Sequence, residues 1–165
     1  MKRIAPFATA LLLAGCGSFH GFEPATPADY TGATVNVADQ VVALSSQRLH
    51  VFEMTRVDGR RLASSSVATT RTGSTLAMTP VALTNELPLQ PSRVQIQAAT
   101  QYATPMVAMS SPTCRTVGEV AFTPREGGRY AVNGRIADEA CEVWIEDLAT
   151  GQAVTDKVTG PGTKR

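Results

Sequence analysis

The sequence has little of what catalytic and metal sites are commonly built from. Its 165 residues include two histidines, His20 and His50, and one tryptophan. A hydrolase triad needs a base held beside its nucleophile. His50 is the one credible base, no serine carries the glycines of a nucleophile elbow, and His50 is expected to be an ordinary strand residue. Long apolar runs are also missing. The stretch Ile4 to Leu13 is mostly apolar but far below the roughly 20 residues that a membrane-spanning helix needs. Charge of one sign is missing too: 15 basic residues face 14 acidic ones, which gives no electrostatic case for nucleic-acid binding. No internal repeat is evident. These absences point away from catalysis, and no cofactor is expected.

The N-terminus does carry a pattern. Met1-Lys2-Arg3 is a short basic start, the apolar stretch follows, and Leu13-Ala14-Gly15-Cys16 comes directly after it. That order is a secretory leader with a small-residue cleavage site. Leu13-Ala14-Gly15-Cys16 resembles the lipobox of bacterial lipoproteins. The resemblance implies a signal peptide over 1–15 and a lipid on Cys16, which then opens the mature chain. Two or three acyl chains hold a protein stably at a membrane where one does not. Gly17 and Ser18 follow, not the aspartate that commonly retains such proteins at the inner membrane, so the resemblance implies the outer membrane, facing the periplasm. Removing 15 residues from 165 leaves 150, about one ordinary domain. Loss of Lys2 and Arg3 leaves 13 basic against 14 acidic residues, a formal charge of −1.

With Cys16 lipidated, Cys114 and Cys141 remain as a pair in a compartment where disulfides persist. A bond between them is the expectation. The alternatives are two buried free thiols, or a metal pair, for which no histidine follows His50.

Residues 16–33 hold prolines, glycines and no periodicity, and read as a flexible tether; Phe19 and Phe22 in it either touch a membrane surface or dock on the domain. Beyond it, strand alternation dominates. Val94-Gln95-Ile96-Gln97-Ala98 and Arg129-Tyr130-Ala131-Val132 alternate as half-buried strands do. In Cys141 to Asp147 the set Cys141, Val143 and Ile145 should face the core, with Glu142, Trp144 and Glu146 opposite. Val57-Asp58-Gly59-Arg60 is a strong hairpin signal, and Glu126-Gly127-Gly128-Arg129 and Ala149-Thr150-Gly151-Gln152 are weaker ones. Asn133-Gly134 is read as lying within a strand that turns later, at Ala137 to Ala140. Val37 to Leu49 is a short helix or an irregular crossover. The clusters Ser64-Ser65-Ser66, Thr69-Thr70 and Ser110-Ser111 suit exposed strands and loops, and 160–165 should be a disordered tail.

The sum is an all-β chain of about seven short strands over 34–159, in a single antiparallel sandwich or a partly open barrel. Phe122-Thr123-Pro124, Gly127 to Val132, Cys141 to Asp147 and Thr150 to Val154 resemble the closing strands of small sandwich domains in uncharacterised bacterial lipoproteins, and Phe52 to Arg60 resembles their earlier hairpin. The resemblance implies a fold and a location, and brings no catalytic residues with it.

Asp138, Glu139, Glu142, Glu146 and Asp147 form a local acidic cluster. They are divided between a turn and alternate strand positions, unlike the tight loop of a calcium site, and read as a solvated rim. Trp144, with Tyr130, Arg125 and Arg129 nearby, is the candidate interaction surface, since aromatics and arginines dominate binding hot spots; the alternative is that Trp144 fills the second face of a strand buried on both sides. The expected function is a non-catalytic accessory module that binds an envelope protein or supports an assembly; the alternative is a module for a small molecule, glycan or cation.

Overall fold

A computed structural model describes residues 21–74, 77–137 and 140–163. The leader, Cys16, Phe19 and His20 lie outside them, as do Asp138 and Glu139. The elements in order are β1 (Thr34–Ala38), β2 (Gln40–Ser45), β3 (Arg48–Val57), β4 (Arg60–Arg61), α1 (Ser65–Thr72), β5 (Thr84–Pro88), β6 (Ser92–Tyr102), α2 (Pro105–Met109), β7 (Thr113–Phe122), β8 (Tyr130–Ile136), β9 (Ala140–Asp147), β10 (Gln152–Ala153) and β11 (Val158–Thr163). The fold is all-β: a single sheet of 11 strands, mostly antiparallel, curled into a partly open half-barrel.

The main path runs β2-β3-β6-β7-β11-β9-β8-β1-β5. β1 and β2 are one extended stretch divided at Asp39. β1 pairs in parallel with β8 and antiparallel with β5, whereas β2 pairs with β3. The same piece of chain therefore reaches both ends of the curl and draws the barrel towards closure. Val35, Val37, Phe52, Met54, Val94, Ile96, Val132, Val143 and Ile145 fill the concave side, each apolar side chain of this size contributing about 1.5–3 kcal/mol on full burial.

Several expectations hold. Cys141, Val143 and Ile145 are buried. The hairpin at Asp58-Gly59 has both residues at positive φ, 49° and 84°, as a type I′ turn requires. Gly134 lies inside β8, and the strand turns afterwards, with Ala137 N–H bonding Ala140 O and Ile136 opposite Cys141. A Cβ at Gly134 would press into the Phe52 ring and the Glu142 carbonyl, so glycine lets β8 approach β3 across the barrel. Cys114 and Cys141 are disulfide-bonded with Cα atoms 6.1 Å apart. The bond joins β7 to β9, the two neighbours of β11.

Other expectations are corrected. Val37 to Leu49 holds no helix: it is the end of β1, all of β2, a turn at Ser46 and Gln47 and the start of β3, because Val35 and Val37 point inward and the chain then changes partner. Ser65 to Thr72, expected as exposed strand or loop, is helix α1, capped by Ser64, whose Oγ accepts from Val67 N–H. Its sheet-facing residues are Ser65 and Thr69, so the buried stripe is made of hydroxyls and shows no apolar period. Residues 160–163, expected in a disordered tail, complete β11: Gly160 and Pro161 pair with β9, Gly162 and Thr163 with β7. Residues 21–33, assigned to the tether, lie against the domain. Glu23 N–H bonds Arg61 O at 2.7 Å, Arg60 Nη2 donates to Ala25 O at 2.7 Å, Thr26 Oγ1 donates to Glu86 O, and Ala25 is buried. Backbone groups that a free tether would leave to water are satisfied here by protein.

Candidate functional site

Strand pairing brings β3, β6 and β7 side by side, and alternation divides their residues between two faces. Val94, Ile96 and Ala98 point to the core, while Gln95, Gln97 and Gln101 lie on the convex face. β7 contributes Arg115 and Val117 to that face. In β3 a bulge between Met54 and Arg56 leaves Thr55 and Arg56 both lining the convex side, since the extra residue of a bulge breaks the alternation.

Helix α1 covers one part of this face and is held there by two buried carboxylates. Asp39 stands where the chain leaves β3. Gln40 pairs with Phe52, so the residue next in line for Met54 has departed towards β8. The Asp39 carboxylate takes over: Oδ1 accepts from Met54 N–H at 2.9 Å, and Oδ2 from the Ser65 hydroxyl at 2.6 Å. Ser65 Oγ in turn accepts from Leu83 N–H. Burial pushes the Asp39 carboxyl up to about 7, and Glu53 adds to the rise against the opposing hydrogen bonds from Ser65 and Met54. Glu53 is fully buried. It accepts from Ser66 N–H at 2.8 Å, from the Ser66 hydroxyl at 2.7 Å and from the Gln97 amide. Sequence reasoning missed both acids. Their signal is an acid at a core position, as in Val35-x-Val37-x-Asp39-x-Val41, and an acid inside Val51-Phe52-Glu53-Met54.

Between α1 and β7 the convex face stays open as a groove. Two adjoining cavities of about 570 and 470 Å³ share Ser66, Val67, Gln97 and Arg115. Phe22, Arg56, Arg61 and Gln95 line one end, and Thr70 and Gln101 the other. No Asp or Glu lines the groove among the described residues. The guanidinium of Arg61 lies 5.2 Å from the centroid of the Phe22 ring, which answers the docking question for that aromatic. Among the described residues the Arg56 and Arg115 guanidiniums form no ion pair. Gln95 accepts from the Thr55 hydroxyl at 3.0 Å, and Gln101 donates to Ser66 O and to Thr70 Oγ1.

The residues singled out from sequence lie elsewhere and do not form one surface. Trp144 is half-buried on the outer face of β9, its Nε1 donating to Glu146 Oε2 at 3.3 Å and Lys157 Nζ lying 4.2 Å from its ring centroid. Tyr130 is the correction: it is buried in the core, packed edge-on against Phe122 with centroids 5.0 Å apart. Alternation along β8 puts it on the side of Val132, so it offers no surface beside Trp144. Arg125 is exposed, its backbone N–H donating to the Tyr130 hydroxyl and its guanidinium paired with Asp147 at 3.2 Å. Arg125, Arg129 and Tyr130 border a shallow depression of about 340 Å³ in which Trp144 has no part.

The remaining acids of the cluster are engaged locally: Glu142 with Lys157, Glu146 with Asn133 and Trp144, Asp147 with Arg125. No group of three or more potential metal ligands occurs among the described residues. His50 lies within β3, and burial, then Arg48, lowers its pKa. No helix among the described residues is long and apolar enough to cross a membrane. Comparison with protein-family models, curated proteins and solved structures finds no match to this chain.

Proposed function

We propose that the protein is a lipid-anchored accessory of the cell envelope, held through Cys16 at the outer membrane facing the periplasm, and that it works as a non-catalytic binding module. Its binding site is the groove between α1 and β7. The observation that carries this reading is the groove itself: arginines and carboxamides line it, no carboxylate among the described residues does, and the acids beneath it are consumed in holding α1. Glu53 and Asp39 are tied to backbone N–H and serine hydroxyl groups, which supports a structural duty for them over acid–base chemistry. A ligand of hydroxyl-bearing or glycan type fits a polar concave surface better than a flat protein partner does.

Protein docking is the second reading, supported by a different feature. β2 ends the sheet path and pairs with β3 alone among the described strands, and it exposes Val42 and Leu44. Such an edge accepts an added strand.

The location is tested by metabolic labelling with a palmitate analogue and fractionation of cells. Label should enter the wild type and be absent from Cys16→Ser, which should leave the membrane fraction; equal labelling of the two would overturn the anchor. For the site, detergent-purified full-length protein is applied to immobilised glycans and peptides beside Val67→Trp, which fills the groove. Retention by a glycan that the variant loses supports the reading. Retention only on peptides, undiminished in Val67→Trp, would transfer the function to the β2 edge.

A further inference from the structure

We infer that the groove receives an acidic glycan, an extended saccharide carrying carboxylate or phosphate groups at intervals along its length. The inference rests on the groove being the binding site.

Three observations lead to it. The first is charge. Among the described residues Arg56 and Arg115 have no ion-pair partner and no acid lines the groove with them. On the same sheet face Glu119, opposite Gln95, is already paired with Arg93 at 3.0 Å. Guanidinium forks bind carboxylate and phosphate in a two-pronged geometry.

The second observation is spacing. Arg56 stands opposite Gln95 and Arg115 opposite Ala99 on the two sides of β6. Four residues of strand separate those positions along the groove, about 13 Å at roughly 3.3 Å per residue. The backbones that carry the two arginines are thus well apart along β6, a span that an oligomer lying along the strand covers while meeting both cations.

The third is the character of the floor between them. Gln95 uses its carbonyl oxygen to accept from Thr55, which leaves its N–H groups free to donate. Gln97 donates an N–H to Glu53, which leaves its carbonyl oxygen free to accept. Gln95 and Gln97 therefore offer a donor and an acceptor at successive outward positions of β6, and a sugar hydroxyl, being both, can satisfy either. An acidic peptide is served less well. The floor is the face of the sheet, so a peptide backbone finds no strand edge to pair with.

The test uses full-length protein in detergent and surface-bound probes: hexagalacturonate, its methyl ester, a phosphorylated mannopentaose and hexaglutamate. At least one acidic saccharide should bind, and the neutral ester about tenfold or more weaker than hexagalacturonate if that is the one held. Arg56→Gln and Arg115→Gln should each weaken binding about fivefold, and added salt should weaken it further. Arg129→Gln removes the same charge at a distant site and should leave binding unchanged. Equal binding of the ester, lost in Val67→Trp, would overturn the acidic requirement while keeping the groove as the site. Binding that neither Val67→Trp nor the arginine variants disturb would overturn the groove itself. Tighter binding of hexaglutamate, or no binding of either acidic saccharide, would overturn the glycan assignment.

Discussion

The convex face of this half-barrel has two regions built by the same strand alternation and used in opposite ways. Over β8 and β9 each outward acid meets a partner at once: Glu146 takes Asn133 and the Trp144 indole, and Glu142 takes Lys157, which also covers the Trp144 ring. Over β3, β6 and β7 the acids are sunk beneath α1 and the arginines line the groove beside it. Glu53 and Asp39 spend their oxygens on Ser65, Ser66, Gln97 and the Met54 N–H, while Arg56 and Arg115 line an open groove. A surface that neutralises itself is finished as it folds. One whose acids are committed beneath α1 and whose groove arginines form no ion pair among the described residues has interactions left to make with something else.

The sharpest way to break the contrast is to remove the buried clamp. Glu53→Ala leaves Ser66 N–H, its hydroxyl and the Gln97 amide without their acceptor, and should cost about 3–5 kcal/mol in urea denaturation. Glu53→Gln, which keeps an acceptor oxygen, should cost clearly less. Equal losses would mean that volume and not hydrogen bonding holds α1.

The disulfide comes next, and it links the two regions, since Cys114 borders the groove and Cys141 lies in β9. Its loop spans a separation of 27 residues, worth about 3.5 kcal/mol in the chain-entropy model. Cys114→Ser with Cys141→Ser should lose about that much, while any ligand that the groove is shown to hold should still be bound by the folded protein. Loss of binding at temperatures well below the new midpoint would tie β7 placement, and so Arg115, to the cross-link.

Asp39 sharpens the comparison through pH. Its carboxyl rises from the ordinary 3.8 to about 7 on folding, so the folded state holds a proton that the unfolded chain releases. That contribution is complete below pH about 4, declines as pH rises to about 7, and is level above it. Asp39→Asn should remove this slope from stability measured between pH 4.5 and 8, and an unchanged slope would assign it to another group.

The smallest effect is expected over β9. Lys157→Ala removes an ammonium 4.2 Å from the Trp144 centroid and 3.3 Å from Glu142, both partly exposed. The loss should be under about 1 kcal/mol, with a clear change in Trp144 fluorescence. A loss as large as that of Glu53→Ala would show that the two regions are built alike after all.

Much of the architecture was legible because period-two alternation and turn chemistry are local properties of the chain. The inward set Cys141, Val143 and Ile145, the Asp58-Gly59 turn and the passage of the strand through Gly134 could be read from neighbouring residues, and so could the Cys114–Cys141 pair once Cys16 was set aside. Helix α1 escaped because its buried face is Ser65 and Thr69, which imitate an exposed loop in composition. β11 escaped because Gly160-Pro161-Gly162 reads as a tail. In the folded chain a side chain at Gly160 would collide with Thr116, so glycine there is what lets β11 pass beside β7. Trp144 drew attention by its rarity, yet its side chain is covered by Lys157.

The sequence by itself determined the strand periods, the tight turns, the cysteine pairing and the balance of charge, all properties of residues close along the chain or few in number. Tertiary structure alone decided that β1 and β2 part company at Asp39, that Glu53 and Asp39 share the space beneath α1, and that Arg56 and Arg115 line one groove. Those facts depend on which strands become neighbours and where the sheet curls. That is set by burial and hydrogen bonding summed over residues tens of positions apart, so no local pattern records it.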